Sequence, residues 1–279
     1  MQIINNIATL KNALKSLSLQ NKTIGFIPTM GALHEGHISL INKSKEQNDI
    51  TVVSIFINPT QFLANEDLDS YPKKNQADIK ICNLSKVDFL FMPDITTMYE
   101  NDEILLKAPK IKGFILEGEK RAGHFDGMLQ IVLKLFNIVN PTNAYFGKKD
   151  AQQLNLITQM VKNFYLDINI VECDIVREID GLAMSSRNVY LSKNEREDAL
   201  LISKSLKLAA KSIGSGEKNS NNTRILIKNI LDKSDNITIE YITIVNRDFQ
   251  IINNIEIKNT IILIAIKIGT TRLIDNIYI

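Results

Sequence analysis

Two of the three histidines in this 279-residue chain, His34 and His37, stand three positions apart beside Gly31 and Gly36, just after the apolar run Thr23–Ile27. Strand, glycine turn and helix start, in that order, make an anion-binding corner. Glycine lets the backbone approach a ligand closely, and the first amides of a helix beginning near His37 point outward with the positive end of the dipole behind them. Imidazole N–H donors beside such a cradle can hold phosphate oxygens whose charge grows during a reaction. A Walker A loop would need lysine and a hydroxyl where His37 and Ile38 stand, so that reading fails. His34-Glu35-Gly36-His37 is one residue shorter than a zinc-protease motif, and zinc stays open only as a minor alternative with His124 as third ligand. Two ordinary helix-start histidines with satisfied hydrogen bonds are the other open reading. Farther on, Lys149 and Asp150 follow Gly147 at a strand-to-helix junction, where a parallel sheet binds nucleotides. The plain alternative is a helix-start charge pair.

These residues need a scaffold, and the hydrophobic pattern supplies one. Thr23–Ile27, Ile50–Ile57, Val87–Met92, Ala144–Phe146 and Ile168–Val176 are short, apolar and bounded by turn residues, which predicts strands. Between them lie helical stripes: Met128, Ile131, Val132, Leu135 and Val139, then Leu154, Ile157, Met160 and Val161. Alternation of this kind predicts an α/β fold, a Rossmann-like doubly wound parallel sheet with ligands at the carboxyl ends of its strands. After residue 190 the order becomes helices then strands: a helix over 194–213, a polar loop over 214–222, a second helix, and β-rich runs from Ile237 onward. The chain is therefore divided into a nucleotide-binding domain, 1–176, and a smaller α+β C-terminal domain, 177–279, with a hinge near Val176–Asp180.

Composition narrows the function. Lys plus Arg (33) nearly balances Asp plus Glu (31), and the net charge of +2 makes no field favouring nucleic acid or an anionic membrane. Any anion is bound locally. Cys82 and Cys173 lie far apart in apolar sequence, which suits reduced, buried thiols. The most apolar stretch, 260–268, is broken by Lys267 and too short to span a bilayer, and no signal-peptide core is visible, so a cytoplasmic protein is expected.

Five stretches, "PTMGALHEGHISLI", "SIFINPTQF", "RAGHFDGMLQIVLKLFNIVNP", "YFGKKDAQQL" and "REIDGLAMSSRNVYL", with "IGTTRLIDNI" near the end, resemble the pantoate:beta-alanine ligase family in order along nearly the whole chain. That family belongs with nucleotidyltransferases and class I aminoacyl-tRNA synthetases, whose HIGH and KMSKS elements the histidine pair and "MSSRN" resemble. The resemblance implies two steps: ATP and magnesium convert pantoate into pantoyl adenylate, releasing pyrophosphate, and beta-alanine then displaces AMP to give pantothenate. It also implies a homodimer whose C-terminal domain closes as a lid, with pantoate, beta-alanine and ATP as small-molecule partners.

Carried over by resemblance, His34 and His37 contact the phosphates, and Pro28 and Met30 line the nucleotide and pantoate pockets. Gln61 and Gln153 hold pantoate. Gly147 and Asp150 hold the ribose, Lys149 reaches the phosphates, and the Val176 backbone meets adenine. Met184, Ser185, Ser186 and Arg187 form a phosphate-gripping loop. Tyr71, Arg121 and His124 belong to the pocket wall, and Asp78 aligns with a carboxylate near the magnesium ion. Packing, a solvated turn or an exposed amide is the plain alternative at several of these positions. One departure stands out: the family usually has proline where this chain has Ala122, which removes a fixed φ from the loop carrying Arg121. Two rival functions share the histidine pair, a different nucleotidyltransferase acting on a phosphorylated coenzyme precursor and a nucleotide-binding regulator without turnover. The first leaves Gln61 and Gln153 without a purpose, and the second would not need Lys149 or Arg187.

Overall fold

The structure, a computed structural model, describes residues 1–64 and 66–279. In chain order, the first part comprises β1 (Gln2–Ile4), α1 (Ile7–Ser18), β2 (Ile24–Thr29), α2 (Glu35–Gln47), β3 (Ile50–Ile55), α3 (Asn75–Leu84), β4 (Phe89–Phe91), α4 (Ile95–Met98), α5 (Glu117–Lys120), α6 (His124–Val139), β5 (Asn143–Gly147), α7 (Ala151–Asn163) and β6 (Asn169–Cys173). The strands make a six-stranded sheet in the order β1-β4-β3-β2-β5-β6, and the paired strands are parallel. From β2 the chain winds outward through β3 and β4, then crosses to β5 and β6 on the other side. The switch point lies between β2 and β5, the position at which a doubly wound sheet opens a crevice.

Both sheet faces are buried, and the strand period of two shows how. Phe26, Val52, Phe91 and Ala144 enter the apolar cluster that also holds Leu10 and Leu14 of α1, Met128, Val132 and Leu135 of α6, and Leu154, Ile157 and Met160 of α7. Their neighbours Ile27, Val53, Leu90 and Tyr145 enter a second cluster with Leu40 and Ile41 of α2 and Cys82 of α3. Strands covered on both sides read as unbroken apolar runs, which is why they are visible in the sequence. Both cysteines are free and buried, and burial, aided by the Asp78 charge, pushes the Cys82 thiol up to about 12.

Pro28 sits inside the central strand β2, where a missing N–H would ordinarily break a ladder. Parallel strands direct alternate residues to alternate neighbours. The Ile24 carbonyl accepts from Thr142 on the β5 side, whereas the Thr29 carbonyl accepts from Phe56 on the β3 side. Pro28 therefore faces β5, and pairing of β2 with β5 ends at Phe26 and Ala144. The proline occupies the place where the two strands part.

Contacts divide the chain into one unit of residues 1–148 and 152–174 and another of residues 149–151 and 175–279. The second contains α8 (Lys193–Gly214), α9 (Ser220–Leu231) and an antiparallel sheet, β7 (Ile237–Asn246), β8 (Thr260–Ile268) and β9 (Thr271–Tyr278), in the order β7-β8-β9. Ala199, Ile202, Leu206, Ala209 and Ile213 form the apolar stripe of α8, which shares a core with Ile262, Ile264, Ile266 and Ile268 of β8. Ser192 and Glu195 cap α8 reciprocally. The polar loop expected over 214–222 is shorter than that, because Asn219 accepts from the Asn221 and Asn222 amides and starts α9 at Ser220.

Gly127 of α6 marks a close approach of main chain to main chain in the first unit. A Cβ there would lie 2.2 Å from the Thr60 carbonyl oxygen and 2.8 Å from the Gln61 amide nitrogen. Alanine normally favours a helix over glycine by about 1 kcal/mol. Here the obstacle is backbone, so Gly127→Ala should instead destabilise the protein by about 1–3 kcal/mol, read from the denaturant midpoint.

Candidate functional site

The segment leaving the carboxyl end of β2 turns through two left-handed residues, Gly31 (φ 84°) and Ala32 (φ 51°). For an alanine this conformation is costly. What holds it is Asp78, buried in the first turn of α3: its Oδ2 accepts from the Ala32 amide at 2.9 Å and its Oδ1 from the Leu33 amide at 2.8 Å. The Gly31 amide donates to the Thr29 hydroxyl at 3.2 Å. These turn amides thus grip an internal carboxylate, and the open cradle expected here is partly filled by the protein itself.

The helix also begins earlier than expected, at Glu35, with His34 as its N-cap. His34 Nδ1 accepts from the Gly36 amide at 3.1 Å, and His37 Nδ1 accepts from the His34 amide at 3.3 Å. The two rings cap the helix reciprocally, with centroids 4.1 Å apart. An Nδ1 that accepts a hydrogen bond leaves the neutral ring's proton on Nε2. Both half-buried rings are therefore set as Nε2–H donors at a helix N-terminus. The sequence reading of outward-pointing, unpaired amides is corrected at Gly36, whose amide is occupied by the His34 imidazole.

Gln61 lies on a 3-10 turn, Pro59–Gln61, whose hub is the buried Asn58. Asn58 Nδ2 donates to Gln61 Oε1 (3.2 Å) and to the Gly127 carbonyl (3.1 Å), while Asn58 Oδ1 accepts from the Thr60 and Tyr99 hydroxyls. Gln61 Nε2 lies 2.9 Å from Met30 Sδ. Two residues carried over as pantoate contacts are thereby brought together. Tyr71 is buried edge-on against Phe62, 5.8 Å between centroids, beside the same turn.

Arg121 and His124 support that turn from behind. The Arg121 guanidinium makes a two-pronged pair with Glu66, and its Nη1 donates to His124 Nε2 at 3.0 Å. Since a guanidinium only donates, the His124 proton is on Nδ1, which donates to the Gln61 carbonyl at 2.7 Å. Burial, helped by the Arg121 charge, pushes His124 down from 6.5 to about 4, so it is neutral. Burial pushes the Glu66 carboxyl up, but hydrogen bonding and attraction to Arg121 outweigh it and hold the group below its ordinary value. Gln153 is half-buried on α7. Its neighbour Gln152 is fully buried and structural, binding the Glu117 amide and the Lys112 and Ile115 carbonyls.

In the second unit, Lys149 is half-buried, Asp150 is exposed, and the Lys149 carbonyl accepts from Asn276 Nδ2 at 2.7 Å. Val176 and Met184 are joined by a hydrogen bond from the Met184 amide to the Val176 carbonyl, closing a hairpin, and Ser185 Oγ accepts from the Arg187 amide at 3.3 Å. Met184, Ser185, Ser186 and Arg187 are all half-buried. Gly147, at the end of β5 in the first unit, has open space where a Cβ would stand.

Among the described residues, no three of His, Cys, Asp and Glu gather as a metal-holding group, so the zinc alternative through His34, His37 and His124 is overturned. Asp78 has its two oxygens committed to Ala32 and Leu33 and reads as the clamp of the turn. No protein cage for magnesium is built around it among the described residues. Sequence reasoning missed Asn58, Glu66 and this role of Asp78. Only Asn58 carried a signal, as the turn-starting residue of Asn-Pro-Thr.

A profile of the pantoate-beta-alanine ligase family matches residues 2–278. The chain is 57% identical over 279 residues to a pantothenate synthetase of Aliarcobacter butzleri, covering all of both chains. Its structure resembles a pantothenate synthetase of Thermus thermophilus with a TM-score of 0.95 at 32% identity, again with full coverage of both. It also resembles a pantoate-beta-alanine ligase of Francisella tularensis solved with beta-gamma ATP and beta-alanine. There the TM-score is 0.81 at 38% identity, covering 100% of this chain and 97% of that one.

The capping role and the ring chemistry of His34 can be separated. Asparagine is among the best N-caps and alanine among the poorest, so His34→Ala should be less stable than His34→Asn by about 1 kcal/mol in thermal unfolding. For His124 the folded pKa lies below the unfolded one. The unfolded chain then binds more protons between the two values, and the stability from a neutral His124 is complete above 6.5 and lost as pH falls toward about 4. Chemical denaturation at stepped pH should show this loss in the native protein and a flatter profile over that window in His124→Gln.

Proposed function

Because this chain belongs to the pantoate-beta-alanine ligase family, we propose that it condenses pantoate with beta-alanine at the expense of ATP, giving pantothenate, AMP and pyrophosphate. A pantoate carboxylate oxygen attacks the α-phosphorus of ATP, the bond from that phosphorus to the bridging oxygen breaks, and pyrophosphate leaves. The beta-alanine amine then attacks the acyl carbon, the bond to AMP breaks, and the nitrogen loses a proton. Adenylation is needed because a carboxylate is a poor electrophile, and water must be kept from the mixed anhydride.

The observation that carries the reading is the histidine pair at the carboxyl end of β2, each ring fixed by a main-chain amide on Nδ1 and so protonated on Nε2. Neutral N–H donors suit a group whose negative charge increases in the transition state. Gln61 and Gln153 offer amides that both donate and accept, matching a ligand with hydroxyls and a carboxylate. Met30, in contact with Gln61, and Pro28 supply apolar wall, while Gly147 gives the ribose room. In the second unit, Lys149, Ser185, Ser186 and Arg187 provide cationic and hydroxyl donors for phosphate, Asp150 accepts from the ribose, and the Val176 main chain meets adenine. Magnesium in this reading enters on the triphosphate and keeps most of its water, consistent with Asp78 being committed elsewhere. A homodimer and a cytoplasmic setting belong to the same proposal; among the described residues no helix is long and apolar enough to cross a membrane.

The purified protein should exchange labelled pyrophosphate into ATP only when pantoate is present, and accumulate AMP only when beta-alanine is added. His34→Asn, which keeps the cap, should lower the exchange rate roughly 10²- to 10³-fold. Exchange that depends on a phosphorylated coenzyme precursor in place of pantoate would establish the rival nucleotidyltransferase. Nucleotide binding without any exchange would establish the regulator.

A further inference from the structure

The stretch "TRLIDNI" near the end of the chain has no part in the chemistry above, yet Asp275 and Asn276 on β9 are only 3% and 1% exposed. A buried carboxylate beside a buried amide is costly unless each is engaged. Asp275 receives both prongs of Arg177, Nη1 to Oδ2 at 2.6 Å and Nη2 to Oδ1 at 3.0 Å, and its Oδ1 also accepts from the Asn276 amide at 2.8 Å. The same guanidinium donates to the Gly181 carbonyl at 3.2 Å and the Asn276 carbonyl at 3.4 Å. It therefore spans the hairpin that runs from Val176 to Met184. Arg177 pairs with Ala183 across that hairpin, the Glu178 amide donates to Leu182, and Gly181 turns it at φ 99°. Arg196 of α8 pairs with Glu178 and Asp180, and Asn188, on the 3-10 turn Ser186–Tyr190, donates from Nδ2 to Glu178 and to the Ala183 carbonyl. Ser185, Ser186 and Arg187 follow at once. On the other side, Asn276 Nδ2 donates to the Lys149 carbonyl at 2.7 Å.

We propose that Asp275 and Asn276 are positioning residues for the adenylating half-reaction: one dipeptide on β9 sets the main chain at Lys149 and, through Arg177, the hairpin that delivers Ser185–Arg187. Neither touches the reacting atoms. They fix the starting points of two phosphate-binding segments that are distant in sequence but share one unit. The inference rests on the function proposed above. Its consequence is selective, because the triphosphate is present only in the first half-reaction and pyrophosphate is its leaving group.

The test uses the full-length protein and two assays, pantoate-dependent pyrophosphate exchange and the release of AMP from supplied pantoyl adenylate on adding beta-alanine. Asp275→Asn removes the charge and Asn276→Asp removes the donor, each with almost no change of volume. Both variants should lose roughly 10- to 100-fold in exchange, by the misplacement of groups that bind charge, with a raised KM for ATP and with the transfer step within about 2-fold of native. Thermal unfolding accompanies each assay. If a buried substitution unfolds the protein, Arg177→Lys, at the more exposed end of the pair, carries the same expectation. Equal loss in both half-reactions, or unchanged exchange in a folded variant, would overturn the proposal. Absence of pantoate-dependent exchange in the native protein would instead overturn the function on which it rests.

Discussion

The carboxylate of Asp78 beneath the turn after β2 is the interaction on which the first unit's site depends. Gly31 and Ala32 both adopt left-handed backbone, and an alanine does so at a cost that the surroundings must offset. Two hydrogen bonds donated by the Ala32 and Leu33 amides to one buried carboxylate supply the compensation. With the turn set, His34 lands at the helix cap and His37 one turn above it. The imidazole pair thus inherits its placement from a residue on a different helix, through main chain alone.

The same unit shows how a polar site is built on an apolar sheet without stranded charge. His124 remains neutral because burial and Arg121 both disfavour its cation, and a neutral ring can accept from the guanidinium on one side while donating to the Gln61 carbonyl on the other. Glu66 balances Arg121 through two parallel hydrogen bonds, a geometry that constrains the guanidinium plane. Ala122 lacks the fixed φ that proline would give this loop. Restraint comes instead from side-chain hydrogen bonds at Arg121, directly before it, and His124, two residues after it.

Much of the scaffold was legible because it follows from hydrophobic periodicity. Strands buried on two faces make apolar runs, and the α6 and α7 stripes repeat at helical spacing, so the parallel sheet and the location of the histidine pair at a strand's carboxyl end could be read directly. The three-residue β1 was not legible, being too short to show a period. The start of α2 was displaced because histidine is not a customary cap, and only the fold reveals that its Nδ1 plays the part usually taken by serine or aspartate. Asp78 and Glu66 were obscure for another reason: the partners that give them their roles, Ala32 and Leu33 for Asp78 and Arg121 for Glu66, lie 45 or more residues away in sequence. Contacts of that range carry no local pattern. Asn58 was half-legible, since Asn-Pro announces a turn but says nothing of the amide network within it.

Lys149–Ala151 belong by contact to the second unit although the chain on either side belongs to the first. Consequently the boundary between the units is crossed three times, and no single junction separates them. A chimera joined to a relative near residue 175 would take Asn276 from one parent and the Lys149 main chain from the other. Recombination that preserves this hydrogen bond must exchange the tripeptide together with the C-terminal portion, so the two pieces constitute one inherited module despite their distance along the gene.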